Sequence, residues 1–199
     1  MKKETRLLEV ELRTPEEDNK MIIEGYAITF NSPSTHGYTE IISDRALDNT
    51  DMSDVPLKYN HEDSHLIMAR TRNKSLELKK DEKGLLIKAE LIDTQSNKDI
   101  YKSIKAGLID KMSFAFTVRG DEYDYDTDTR TITDIDKLYD VSVVDMPFYD
   151  STSVYARGEN DEFLTRREEL RKEHEEQIKE EERKQALEKA KKELLNKLG

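Results

Sequence analysis

The chain has 199 residues and no cysteine: room for one domain with an appendage, and no disulfide, thiolate metal site or cysteine nucleophile. Its net charge of −11 resides mostly in residues 1–158, where 31 acidic residues face 22 basic ones, so no nucleic-acid role is expected. The N-terminal stretch MKKETRLLEVELRTPEE has no apolar signal core and no apolar run reaches the roughly 20 residues of a membrane span, which predicts a soluble, intracellular protein without membrane contact.

In chain order, ETRLLEVEL alternates in part and MIIEGYAITF is β-branched and aromatic-rich, so both are predicted strands. NSPSTHGYT is a predicted loop, and SDRALDNT a short helix capped by Ser43. VPLKYN, LIMART and KSLELKK are strand candidates, followed by the turn KDEKG and the strand LLIKAELI. SNKDIYKSIKAGLI is a predicted helix with Ser96 or Asn97 as cap and Ile100, Tyr101, Ile104 and Leu108 as its apolar stripe. KMSFAFTVRG and LYDVSVVDM are strands around an acidic, solvated, hairpin-like segment, 121–136, with seven acids and one Arg. A metal site or a contact for basic substrates is the competing reading of that segment. Composition changes near Gly158. Residues 159–198 lack Pro and Gly, are rich in Glu, Lys, Arg and Leu, and carry sparse apolar positions, which predicts one long charged helix or two.

NHEDSH (60–65) spells HExxH, the pattern with which a helix presents two zinc-binding His on one face. Here it lies between two strand-like runs, with the turn-formers Asp63-Ser64 at its centre. A loop would separate His61 from His65 and spoil chelation, so no metal or other cofactor is expected.

In KMSFAFTVR, a strand sends Met112, Phe114, Phe116 and Val118 to one face and Ser113, Ala115, Thr117 and Arg119 to the other. Ser113 is then a hydroxyl on a small-residue face backed by large apolar groups, as a supported nucleophile requires, although an ordinary strand serine reads the same way. In LYDVSVVDMP, Leu138, Asp140, Ser142 and Val144 share one face, and Tyr139, Val141, Val143 and Asp145 the other. With both faces apolar, a carboxylate at Asp140 needs a partner, and an imidazole is a natural one. His61, Ser113 and Asp140 together supply base, nucleophile and orienting acid.

EGYAITF (24–30), VPLKYNHED (55–63), MART (68–71), GLIDKMSFAF (107–116) and DVSVVDMPFYDSTSV (140–154), in this order, resemble the prohead maturation proteases of tailed phages over roughly residues 5–156. The resemblance implies a serine endopeptidase with a herpesvirus assemblin-like α+β fold, mainly an antiparallel β-barrel with surrounding helices, followed by the long charged C-terminal helix. It implies domains 1–158 (protease) and 159–199 (tail), the latter binding scaffold or capsid components or being self-processed. It implies as partners the major capsid protein and its scaffolding segment, with the portal and further copies of the chain, inside the immature prohead in the host cytoplasm. Carried over, the general base is His61, the nucleophile Ser113 and the third member Asp140, with Asp134, Asp136 and Asp145 as competitors. Assemblins use a second His there, but neither His36 nor His174 follows Ser113 at the right distance within the domain. Ala69 stands where many relatives have Gly before the Arg. Backbone N–H groups are the default oxyanion donors, with Arg70 as the side-chain candidate. A non-catalytic scaffold protein is the alternative function.

Overall fold

The structure, a computed structural model, describes residues 2–198 except 10–11, 18–19, 36, 64–65 and 146–161. His36, His65, most of the DMPFYDSTSV motif and the boundary at Gly158 therefore lie outside the described residues. Contacts divide the chain into two units, Met1–Asn160 and Asp161–Gly199.

The first unit runs β1 (Glu4–Glu9), β2 (Glu16–Glu17), β3 (Lys20–Thr29), β4 (Ser34–Thr35), β5 (Thr39–Ile42), β6 (Pro56–Tyr59), β7 (Ala69–Arg70), β8 (Leu76–Lys80), β9 (Gly84–Leu91), α1 (Gln95–Lys105), β10 (Lys111–Asp124) and β11 (Thr129–Val144). The second is one helix, α2 (Glu162–Leu198). Mostly strands with two helices, the chain is α+β as expected, but the β-barrel is not formed. The strands make two open sheets, β1-β10-β11-β5-β4 with β6 joined to β11 and β7 to β6, and β2-β3-β9-β8. The cause is at β11. Its second edge is shared between two short parallel partners, β5 along Thr129–Ile132 and β6 along Val141–Val143, and no described ladder carries the sheet round to its other edge at β1. Both sheets instead bury apolar faces in one core: Ile23, Ile28, Leu85 and Ile87 from the smaller, and Phe114, Phe116, Ile132 and Val141 from the larger.

Two local expectations also fail for identifiable reasons. Residues 43–50 form successive turns rather than a helix, with bonds such as Ala46 N–H to Ser43 O, because the Ala46 carbonyl is taken by the Ile135 amide of β11 at 2.8 Å. α1 begins at Thr94, whose hydroxyl accepts the Asn97 N–H, and its stripe stops at the buried Ile104: Leu108 is 70% exposed. Gly84, closing the KDEKG turn, has a requirement of its own. A Cβ there would sit 1.9 Å from the Ile28 carbonyl oxygen, so only glycine lets β9 start so close to β3.

Candidate active site

The site is built on β10, which lies between β1 and β11. Met112, Phe114 and Phe116 lie in the core while Ser113 faces away from it, held in register between Leu7 of β1 and Ser142 of β11. The β10–β11 ladder slips between Ala115↔Asp140 and Phe116↔Leu138, leaving Tyr139 as an extra residue. This bulge corrects the strict alternation expected of β11. Leu138 does not share the face of Asp140 but joins Val141 and Val143 in the core, and Asp140 and Ser142 remain on the face of Ser113.

His61 arrives from the parallel neighbour. After β6, Asn60 and His61 both take positive φ (51° and 57°), and the Glu62 N–H bonds back to Tyr59 O at 3.0 Å, the features of a type I′ turn. Left-handed φ is uncommon at a non-glycine residue and costs on the order of 1–2 kcal/mol, so the surrounding structure must hold it. It does so from three sides: Asn60 N–H donates to Val143 O, Asn60 Nδ2 donates to Asp145 Oδ1 at 2.9 Å, and His61 N–H donates to Ser142 Oγ at 3.3 Å. Tyr59 hydroxyl also donates to Asp145, and burial together with that carboxylate pushes it up to about 12, so it stays a donor.

The turn carries the imidazole between the two strands. His61 Nε2 lies 2.5 Å from Ser113 Oγ, and Nδ1 is hydrogen-bonded to Asp140 Oδ1. Asp140 and Ser113 are 1% and 3% exposed, whereas the His61 side chain is 22% exposed. Burial pushes the Asp140 carboxyl up, but the hydrogen bond and charge of His61 and the Lys3 ammonium outweigh it and hold the group below its ordinary value. An ionised Asp140 requires the hydrogen on Nδ1, leaving the Nε2 lone pair aimed at Ser113. Such an array can remove the hydroxyl proton as the oxygen attacks a carbonyl carbon.

Ser142 is a participant the sequence reading did not single out. Its fully buried hydroxyl donates to Asp140 Oδ1 at 3.1 Å, lies 3.1 Å from His61 Nδ1 and accepts the His61 amide, so it ties the Asp140 carboxylate and the His61 ring to each other. A hydroxyl two residues beyond a buried strand acid was the available signal. The competing acids are engaged elsewhere: Asp134 and Asp136 bind Arg119, and Asp145 holds the Tyr59-Asn60 turn. Arg70 makes a two-pronged bond to Asp54, at the opposite end of β6 from His61. His174 lies in α2.

HEDSH is no zinc helix over its described part. Asn60 and His61 form a turn with Glu62 and Asp63 irregular after it, and both ring nitrogens of His61 point at protein oxygens; among the described residues no cluster of His, Cys, Asp or Glu could hold a metal. No helix of the described residues is long and apolar enough to cross a membrane.

The prohead protease of Enterobacteria phage HK97 is 27% identical over 164 residues, covering 80% of this chain and 70% of that protein. The structure of the bacteriophage T4 capsid assembly protease is similar at TM-score 0.45 and 14% identity, covering 71% of this chain and 98% of that one. A family model described as caudovirus prohead serine protease matches residues 8–166, a span that holds Ser113, His61 and Asp140 and all but one of the strands in full, and the chain belongs to that family.

Proposed function

We propose that the chain is a serine endopeptidase that cleaves the scaffolding segment of the capsid protein inside the immature prohead, with Ser113 as nucleophile, His61 as general base and Asp140 as orienting acid. The observation that carries this reading is the hydrogen-bonded series Ser113–His61–Asp140 on one sheet face of a family member. As Ser113 Oγ attacks the scissile carbonyl, its proton passes to His61 Nε2 and Asp140 stabilises the imidazolium. His61 then gives that proton to the departing amine, and water repeats the sequence to release the acyl group. The bond that forms is Oγ–C and the bond that breaks is C–N, so no metal or cofactor is needed.

The Arg6 carbonyl adds a second acceptor, 2.8 Å from Ser113 Oγ. A hydroxyl has one hydrogen, so the two acceptors compete for it. With the His61–Asp140 pair protonated, Nε2–H donates to Ser113 and the hydroxyl turns to Arg6 O; with the pair deprotonated, the hydroxyl turns to Nε2 and is activated. Reaction at Ser113 should therefore rise with pH as the pair loses its proton. The test is covalent labelling by a fluorophosphonate, in which Oγ displaces fluoride from phosphorus. Ser113→Ala should label nowhere in the protein, and His61→Ala should label on the order of 10^4-fold more slowly. Labelling of Ser113→Ala at the parent rate would overturn the serine mechanism.

A further inference from the structure

We infer that Lys3, on the segment leading into β1, is a positioning residue that holds the outer oxygen of Asp140 and so tunes how firmly that carboxylate keeps a proton on His61. This rests on the serine mechanism proposed above and adds a residue to it. Asp140 is 1% exposed, and its two oxygens are divided: Oδ1 faces His61 and Ser142, while Oδ2 accepts from Lys3 Nζ at 3.1 Å. Lys3 is 46% exposed, so its ammonium reaches in from the surface to a carboxylate that is otherwise enclosed. It also lies 5.5 Å from the centre of the Tyr139 ring, beside the bulge that presents Asp140.

Surface ion pairs normally contribute little, because water screens them and two long side chains must be ordered. This one differs in two respects. Its acceptor is buried, which lowers the screening, and its donor is tethered. Three residues on, Arg6 is buried and bound through Nε and Nη2 to Glu40, and the ladder pairs Glu4 to Leu7 with Phe116 to Ser113. The same Arg6 offers its carbonyl to the Ser113 hydroxyl. One short segment thus contacts the first and the last member of the series. The other charges near the pair are the Lys58–Asp63 ion pair, Glu62 and Asp145. Asp63, held low first by Lys58 and further by Lys3, is exposed and largely screened. Lys3 is the one cation bonded directly to Asp140 among the charges named here.

A positive charge at Oδ2 withdraws part of the field with which Asp140 holds a proton on His61. Removing it should make the pair retain its proton to higher pH. The fluorophosphonate labelling rate at Ser113 is measured against pH for parent, Lys3→Gln and Lys3→Arg. In Lys3→Gln the acid limb should move upward by about 0.5–1 pH unit at low ionic strength, with less movement at high salt. The rate on the alkaline plateau should stay within about twofold, and Lys3→Arg should follow the parent. A purely structural role would lower the plateau and leave the midpoint in place. An unmoved midpoint in Lys3→Gln, or an equal movement in Lys3→Arg, overturns the inference. A second arm is independent of reactivity: the low-field proton of the His61–Asp140 hydrogen bond is followed by NMR against pH in Ser113→Ala with and without Lys3→Gln. Failure of the parent to label strikes the proposed mechanism alone, while an unshifted NMR titration strikes the role of Lys3.

Discussion

An imidazole has two nitrogens, and His61 has both directed at protein oxygens, Ser113 Oγ and Asp140 Oδ1, rather than toward a shared metal position. Dialysis against a strong chelator should leave the labelling rate of Ser113 unchanged; a loss that zinc restores would revive the metal reading. The acid can be separated from its neighbours by substitution. Asp140→Asn would leave an amide where Nδ1–H needs an acceptor, and should lower turnover on the order of 10^3–10^4-fold. Asp145→Asn keeps only one of the two oxygens that accept from Tyr59 and Asn60, yet should stay within about fivefold, because Asp145 acts only through the turn. Stability gives an independent reading of the same carboxylate. Because the folded protein holds Asp140 below its ordinary value, its contribution is fully present above the ordinary carboxylate range and is lost as pH falls through that depressed value. The stability difference between parent and Asp140→Asn should therefore narrow in urea unfolding as pH falls below the ordinary carboxylate range. A difference that widened on acidification would contradict the ionised, hydrogen-bonded Asp140. Strand parity and the cost of a buried acid put Ser113 and Asp140 forward in the sequence, the resemblance put His61 beside them, and the fold brings the three side chains within hydrogen-bonding distance. Ser142 and Lys3 could not be put forward, since a strand hydroxyl and an N-terminal lysine look the same whether or not they meet a buried carboxylate.

At the scale of elements, β1 is the strand whose importance the pattern concealed. ETRLLEVEL reads as a partly alternating strand, yet Arg6 is 5% exposed and belongs to a buried ion network with Glu40 of β5 and Arg130 of β11. Glu4 joins Arg130 at 2.9 Å and Asp121 accepts its Nε at 2.8 Å, while the Tyr38 hydroxyl donates to Glu40. Burial works against both guanidinium charges, but the surrounding carboxylates outweigh it and hold them ionised above the ordinary range. Segment 121–136 is thus not wholly the solvated hairpin expected from its acids: its tip is exposed, but its single Arg and Asp121 lie inside. Sequence periodicity cannot reveal this, because it ranks charged residues as surface by default. Removing one partner leaves the rest uncompensated, so Glu40→Gln should cost roughly 3–5 kcal/mol in urea unfolding. The same change should slow labelling of Ser113, since β1 carries the Arg6 carbonyl and Lys3 to the site. A Glu40→Gln protein as stable as the parent would mean that the network contributes no net stability. The barrel expectation failed for a related reason: strand content and alternation were legible, but the sharing of one edge of β11 between β5 and β6 is a tertiary choice.

At the scale of the whole molecule, the change of composition near Gly158 stands close to the division into units at Asn160 and Asp161. The first unit contains both sheets, the core and all of Lys3, Arg6, His61, Ser113, Asp140 and Ser142. The second is a single helix, where one or two were expected, and it leaves Ile178 and Leu187 44% and 58% exposed. Of residues 159–199, 24 are charged, 13 acidic and 11 basic, so this segment has the make-up of a solvated tether and lacks a continuous apolar face. A protease that works inside a shell has to be brought into it, and a charged helical tail suits that task without entering the chemistry. We predict that residues 159–199 are dispensable for folding and reaction, bind scaffold or capsid components, and are removed by the protease itself. A protein ending at Asn160 should unfold cooperatively and label at the parent rate. Purified parent should lose roughly 4–5 kDa from its C-terminus over time by mass spectrometry, while Ser113→Ala stays whole. Equal trimming of both would point to contaminating proteases, and a shortened protein that cannot fold would show that the tail belongs to the core.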